Sequence, residues 1–263
     1  MKISWLEYFS PIRDQKTCGS CVAFGSIRVF EGKIRIKETD KNAYFPLRSV
    51  KGYWTPQADF SEQDLFACSG GTCDRGNTME PVLDRMRVGV ATEECCPYEA
   101  RDVRCGSTRC VNWHETARKI ESWRRITDFE EMKKMLDEGP LIGVMAVHQS
   151  FLAYKSGVYH SLGLMDPVVG YHCLAVGGYD DDRQALILSN SWGSEWGGDP
   201  EEGCCYIKYH DSETTDEMFL ISPSDEPVDP TEPECPVSRF ILKVFGASVL
   251  NVLRKIRYSL FGI

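Results

Sequence analysis

The ten residues Gln15–Phe24, reading Gln-Lys-Thr-Cys-Gly-Ser-Cys-Val-Ala-Phe, constrain this chain more than any other stretch. From Val22 to Ile36 apolar side chains recur at helical spacing (Ala23, Phe24, Ile27, Phe30, Ile34), so Cys21 falls at or near the first turn of a helix. Only a thiolate attacks well, and the unpaired N–H groups and partial positive charge of a helix N-terminus stabilise one. A nearby imidazolium would lower the thiol pKa further and later protonate a leaving amine. An attacked carbonyl becomes an oxyanion and needs donors. The backbone N–H of Cys21 and the side-chain amide of Gln15 are candidates. Cys18-x-x-Cys21 alone also fits a redox pair or half a zinc site. The first wants a preceding strand in a βαβ pattern and the second another closely spaced pair, and neither is obvious here. No metal or cofactor is expected.

Twelve cysteines in 263 residues is a high count, and Cys73, Cys96, Cys105 and Cys204 sit among Gly, Asp, Pro or Glu in loop-like stretches. That usage points to disulfides and an oxidising compartment: secreted, lysosome-like or cell-surface. Met1–Trp5 carries no apolar run and no small-residue cleavage site, so no signal peptide is visible. The net charge of −9 argues against a nucleic-acid partner, whose binders are basic.

The first half reads as helix and loop. Ser61-Glu62-Gln63-Asp64 before Leu65-Phe66 resembles a capping signal, and Phe129–Glu138 looks helical up to Gly139-Pro140. From Leu141 the pattern changes to strands: 141–147, 172–179, 185–189 and 204–209, with Gly and Asp turns between them. A helix-rich half followed by a strand-rich half predicts an α+β fold of two subdomains. Residues 223–238 alternate Pro with Asp and Glu and read as an extended acidic linker, not a packed element. Residues 239–263 hold five Arg or Lys and no acid, so the overall −9 is +5 there and −14 elsewhere. In that tail Ile241, Phe245, Val249, Val252, Leu253, Ile256 and Leu260 fit one face of an amphipathic helix. It is expected to lie on a membrane surface, or to dock on the acidic body or on a partner.

A cysteine nucleophile needs a His from elsewhere in the chain. Tyr171-His172-Cys173-Leu174-Ala175-Val176-Gly177-Gly178-Tyr179 offers a His at the start of an apolar strand, which by itself reads better as a core residue. Ser189-Asn190-Ser191-Trp192-Gly193-Ser194-Glu195-Trp196-Gly197 offers an acceptor to orient the imidazole, and its two Trp by themselves suggest core packing. His114, His148, His160 and His210 have no comparable surroundings. Taken in order, the three segments resemble those of papain-like cysteine peptidases, the family of the cathepsins. Residues 15–24 match Gln-x-x-x-Cys-Gly-Ser-Cys-Trp-Ala-Phe, with Val22 in place of the Trp. Residues 172–179 match the His segment, and 190–197 match Asn-Ser-Trp-Gly-x-x-Trp-Gly.

The resemblance runs from about Trp5 to Ser222 and implies a domain over 1–222. It would have a helix-rich N-terminal lobe, a β-barrel-like C-terminal lobe and the active site in the cleft between. It implies Cys21 as nucleophile, His172 as its proton partner, Asn190 orienting the His, Trp192 shielding that bond and Gln15 in the oxyanion hole. It further implies disulfides Cys18–Cys73 and Cys68–Cys105, and no disulfide beside the His loop, where neither Asp166 nor Met218 is Cys. Cys96 with Cys110 is a further guess. Gly76 matches a substrate-binding Gly, whereas Arg75 stands where the family has another Gly. Val144 and residues 218–223 would line an apolar pocket for the side chain two positions before the cut. The expected activity is that of an endopeptidase on polypeptides, since no His-bearing occluding loop is apparent in the sequence, and a monomer is expected. Three other readings compete: an acyltransferase through the same thioester, a non-catalytic binding protein on the same fold, and a redox or zinc protein.

Overall fold

The computed structural model describes residues 1–38 and 58–229. Among the described residues there are four helices and eight strands; three of the helices precede all but one of the strands, and the expected helices and strands are joined by one further helix and four further strands. Helix α1 spans Cys21–Glu38, two residues longer at its end than the apolar spacing suggests. Helix α2 (Glu62–Cys68) starts at Ser61, whose hydroxyl accepts from the Asp64 N–H at 2.9 Å and so satisfies one donor of the first turn. Helix α3 spans Met79–Met86. Helix α4 (Phe129–Glu138) is capped in the same way by Asp128 and stops at Gly139.

The strands are β1 (Lys2–Ser4), β2 (Ile120–Ile126), β3 (Leu141–His148), β4 (Val158–Tyr159), β5 (Val168–Asp180), β6 (Ala185–Ser189), β7 (Cys204–Lys208) and β8 (Met218–Pro223). They form one sheet in the order β2-β8-β3-β5-β6-β7-β4, with β1 added along β5. All pairs are antiparallel except β4 with β7.

The inner strands are buried on both faces over most of their length, so their apolar residues run consecutively rather than alternating with polar ones. Cys173, Ala175, Ile187, Cys204 and Tyr206 join α1, α2 and α3 in one core. Their chain neighbours Leu174, Val176, Leu186, Leu188, Cys205 and Ile207 join α4 in a second core on the opposite side. The period of two thus sends Cys204 and Cys205 into different cores, and both stay unpaired.

Helix α1 lies unusually close to β5. A Cβ at Gly25 would stand 2.8 Å from the Cys173 sulfur. Cys21 is one turn before Gly25 on the same helix face, so the first turn of α1 is carried against the start of the buried part of β5. The ends of the helix-rich and strand-rich parts meet there.

Three disulfides staple the outer loops: Cys18–Cys73, Cys68–Cys105 and Cys95–Cys110. Cys110 therefore pairs with Cys95 and not with Cys96. The Cys96 side chain points inward to join Trp113, Ala117 and Val228 in a small third core, which leaves Cys95 to face Cys110. The acidic segment also differs from expectation over its first residues. Pro223 ends β8, Ser224 N–H donates to Lys119 O, and Val228 is buried against Gly89, so residues up to 228 stay on the body. The remainder of 223–238 and the tail 239–263 lie outside the described residues.

Candidate active site

Cys21 and His172 line the same cavity of about 270 Å3, between α1 and α3 on one side and β3, β5 and β8 on the other. Cys21 is half-buried at the head of α1. Its sulfur is within bonding reach of the backbone N–H groups of Cys173, Val22 and Cys21, all of which favour the thiolate. The first of these belongs to the residue after His172. Nε2 of His172 lies 2.7 Å from Asn190 Oδ1, which leaves Nδ1 as the free ring nitrogen. Trp192 lies against the imidazole with ring centres 4.7 Å apart. It belongs to an aromatic cluster with Phe151 and Trp196. Oδ1 of Asn190 also accepts from the Ser191 N–H at 2.8 Å, which holds the amide oxygen toward the ring.

Burial opposes either ion taken alone. It pushes the Cys21 thiol up, and it pushes the His172 imidazole down to about 4, with Asn190 acting weakly in the other direction.

Gln15 is buried and fixed at both ends of its amide. Nε2 donates to Cys18 O at 2.9 Å, and Oε1 accepts from the Ser191 hydroxyl at 2.6 Å. The second amide hydrogen is left for a ligand. The Gln15 backbone N–H donates to Ser191 O at 2.8 Å, which ties this segment to the Asn190 strand end. Gly19 lets the loop pass under the Cys18–Cys73 bridge: its N–H donates to Cys73 O, and a Cβ there would meet that oxygen at 2.8 Å.

Sequence reasoning passed over two positioning residues. Tyr98 donates its hydroxyl hydrogen to Gln15 O at 2.9 Å and sits 2.6 Å from the Ser20 hydroxyl, bracing the amide segment against the turn before Cys21. Nothing near Tyr98 in the chain signals this, since its partners are 83 and 78 residues away. Ser191 stood inside a motif already noticed, but its bond to Gln15 is visible only in three dimensions.

Val144 lines the cavity as foreseen, together with Met79 and Phe219. Arg75, Gly76 and Trp192 do not line it. Arg75 is exposed and Gly76 half-buried on the turn 72–76, and Trp192 lies beneath His172. The cavity is apolar over most of its lining, through Val22, Met79, Val144 and Phe219, though of residues 218–223 only Phe219 reaches it. Glu80, Arg125 and Glu217 close one side, with Arg125 Nε 3.2 Å from Glu217, an ion pair to Glu80, and the guanidinium 5.4 Å from the Phe219 ring centre. The sequence hid this because Glu80, Arg125 and Glu217 come from three separate segments. Among the described residues no cluster of His, Cys, Asp or Glu could hold a metal ion.

Residues 2–218 match the papain family cysteine protease model. Digestive cysteine proteinase 1 of Homarus americanus is 31% identical over 214 residues, 76% of this chain and 58% of that protein. Cathepsin K of Gallus gallus is 30% identical over 195 residues, 72% of this chain and 53% of that protein. Across the first curated relatives the chain spans from 40% to 61% of their length. Bromelain from Ananas comosus, solved with the E64 inhibitor, shares the fold with a TM-score of 0.64 at 22% identity, over 84% of this chain and 98% of that one. With its α+β fold and with a family match over nearly all the described residues, the chain belongs to the papain family of cysteine proteases.

Proposed function

We propose that this chain is a cysteine endopeptidase in which Cys21 attacks a peptide carbonyl. The observation that carries the reading is the His172 Nε2–Asn190 Oδ1 bond of 2.7 Å, which reserves Nδ1 for the thiol lying at the head of α1 in the same cavity. The thiol proton passes to Nδ1 and the sulfur bonds to the carbonyl carbon. The carbonyl oxygen takes the negative charge and receives hydrogen bonds from the Cys21 N–H and Gln15 Nε2. The imidazolium returns its proton to the amine as the C–N bond breaks, leaving a thioester. Water, deprotonated by the same imidazole, hydrolyses it. An amine acceptor in place of water would make the chain an acyltransferase, and product analysis with added amine separates the two. Three disulfides support action in an oxidising compartment, and no described helix is long and apolar enough to cross a membrane.

An irreversible thiol-directed peptide epoxide, followed by mass mapping, tests the nucleophile. One adduct on Cys21 is expected, and none in Cys21→Ala. Labelling of another cysteine with Cys21 untouched would reject the reading. The cavity supports a substrate side chain two positions before the cut with an apolar stem and a hydrogen-bond-donating or cationic tip, since two carboxylates face one guanidinium there. Profiling with a peptide library should rank Lys, Arg and Tyr above Val at that position. The reverse order would overturn this assignment.

A further inference from the structure

Nine large apolar side chains are exposed among the described residues, and six of them fall between 162 and 171: Leu162, Leu164, Met165, Val168, Val169 and Tyr171. Such concentration on one loop marks a contact surface. The loop is also held rigid. The Asp166 carboxylate, almost fully buried, accepts from the N–H groups of Ser150 (2.9 Å) and Leu162 (3.1 Å). Its backbone oxygen lies 2.7 Å from His148 Nδ1, and Pro167 O accepts from the Gln149 N–H. Leu164 and Met165 are thus displayed on a braced turn, which lowers the entropy lost on docking.

Beside this loop runs an acidic turn, 211–217, with Asp211, Glu213, Asp216 and Glu217. The two are joined by the Ser161 N–H to Asp211 carboxylate bond at 3.1 Å and by the Tyr171 hydroxyl, 3.5 Å from Glu213 Oε1. Glu217 pairs with Arg125, but among the described residues no cation pairs with Asp211, Glu213 or Asp216. Tyr171 and Glu217 also line the cavity that holds Cys21, so the apolar loop and its acidic border form one lip of the cleft.

We propose that this lip is the docking face for the chain's own segment 239–263. That segment supplies what the face lacks: apolar residues at helical spacing, with Arg239, Lys243, Arg254, Lys255 and Arg257 and no acid. Residues 230–238 reach about 30 Å when extended, and 25 residues of helix span about 37 Å. Together these cross the face of a body of ~220 residues, whose radius of gyration is about 17 Å. An anionic lipid surface is disfavoured by the acidic border. A second copy is disfavoured because it would bring the same carboxylates against themselves.

The test places a photo-reactive residue at exposed position Leu164 of the full-length Cys21→Ala chain, so that docking is read without catalysis. Irradiation at high dilution followed by mass mapping should give adducts within 239–263 of the same chain. The triple variant Arg254→Glu, Lys255→Glu, Arg257→Glu should lose them, and high salt should weaken them by screening. Adducts only to a second copy, no adducts to 239–263, or transfer of the label to phosphatidylcholine–phosphatidylserine vesicles would each overturn the proposal.

Discussion

The Gln15 side chain is held by nearby Cys18 O and by two partners from distant segments, the Ser191 hydroxyl and, through the Gln15 backbone oxygen, Tyr98. If its free amide hydrogen meets the developing oxyanion, Gln15→Ala should lower kcat/KM by roughly 10²–10³-fold, the range for one lost oxyanion donor. Ser191→Ala removes only the hydroxyl that orients the amide. It should lower kcat by a smaller factor with KM little changed, because the interaction matters mainly in the transition state. Steady-state kinetics on a fluorogenic peptide measure both. Equal loss in the two variants would mean that the serine does more than orient.

At the scale of elements, catalytic geometry depends on how α1 begins. The Cys18–Cys73 bridge and the Gly19 turn set the approach of the chain to Cys21, and neighbouring Gly76 lies close enough that a Cβ on Gly19 would meet its Cα at 3.1 Å. Gly19→Ala should therefore displace the turn and cut activity while leaving most of the melting transition intact. Removing both cysteines of the bridge, which closes a loop of 55 residues, should cost about 2–4 kcal/mol of stability by urea unfolding. A Gly19→Ala enzyme with unchanged kcat/KM would show that the turn has slack.

Over the whole molecule, buried charge is concentrated around Arg13, where the segment before α1 meets α1 and α2. Arg13 bonds Glu62 and Asp59 at 2.6 Å each and Glu31 at 3.3 Å, while Arg35 and Glu31 are both fully buried. Burial pushes Glu62 up to about 7 and nearby Glu93 up to about 8, and each has one oxygen buried without a hydrogen-bond partner. Both therefore hold protons in the folded state that the unfolded chain has released above about pH 4.5. Stability should fall as pH rises through 7 and 8. His172, held down to about 4, works in the opposite direction, but only between about 4 and 6.5. Above pH 6.5 the glutamates dominate, so unfolding free energy should drop by about 1–2 kcal/mol between pH 6.5 and 8. Glu93→Gln should flatten that slope in chemical denaturation. A rising slope over this window would refute the protonated-carboxyl account.

The helix at Cys21, the cap at Ser61, the strand-rich second half and the order of the Cys, His and Asn segments were legible in the sequence, because periodicity, capping and motif spacing are local properties of the chain. The disulfide partner of Cys110 was not, since Cys95 and Cys96 are adjacent and only side-chain direction separates them. The roles of Tyr98 and Ser191 and the charged wall of Glu80, Arg125 and Glu217 were also out of reach. Each depends on side chains brought together from segments tens of residues apart, and no local pattern encodes that distance. By itself the sequence determined which groups could do the chemistry. The tertiary structure decided which of them meet, because the close approach of α1 to β5 at Gly25 is a packing event between segments about 150 residues apart in the chain.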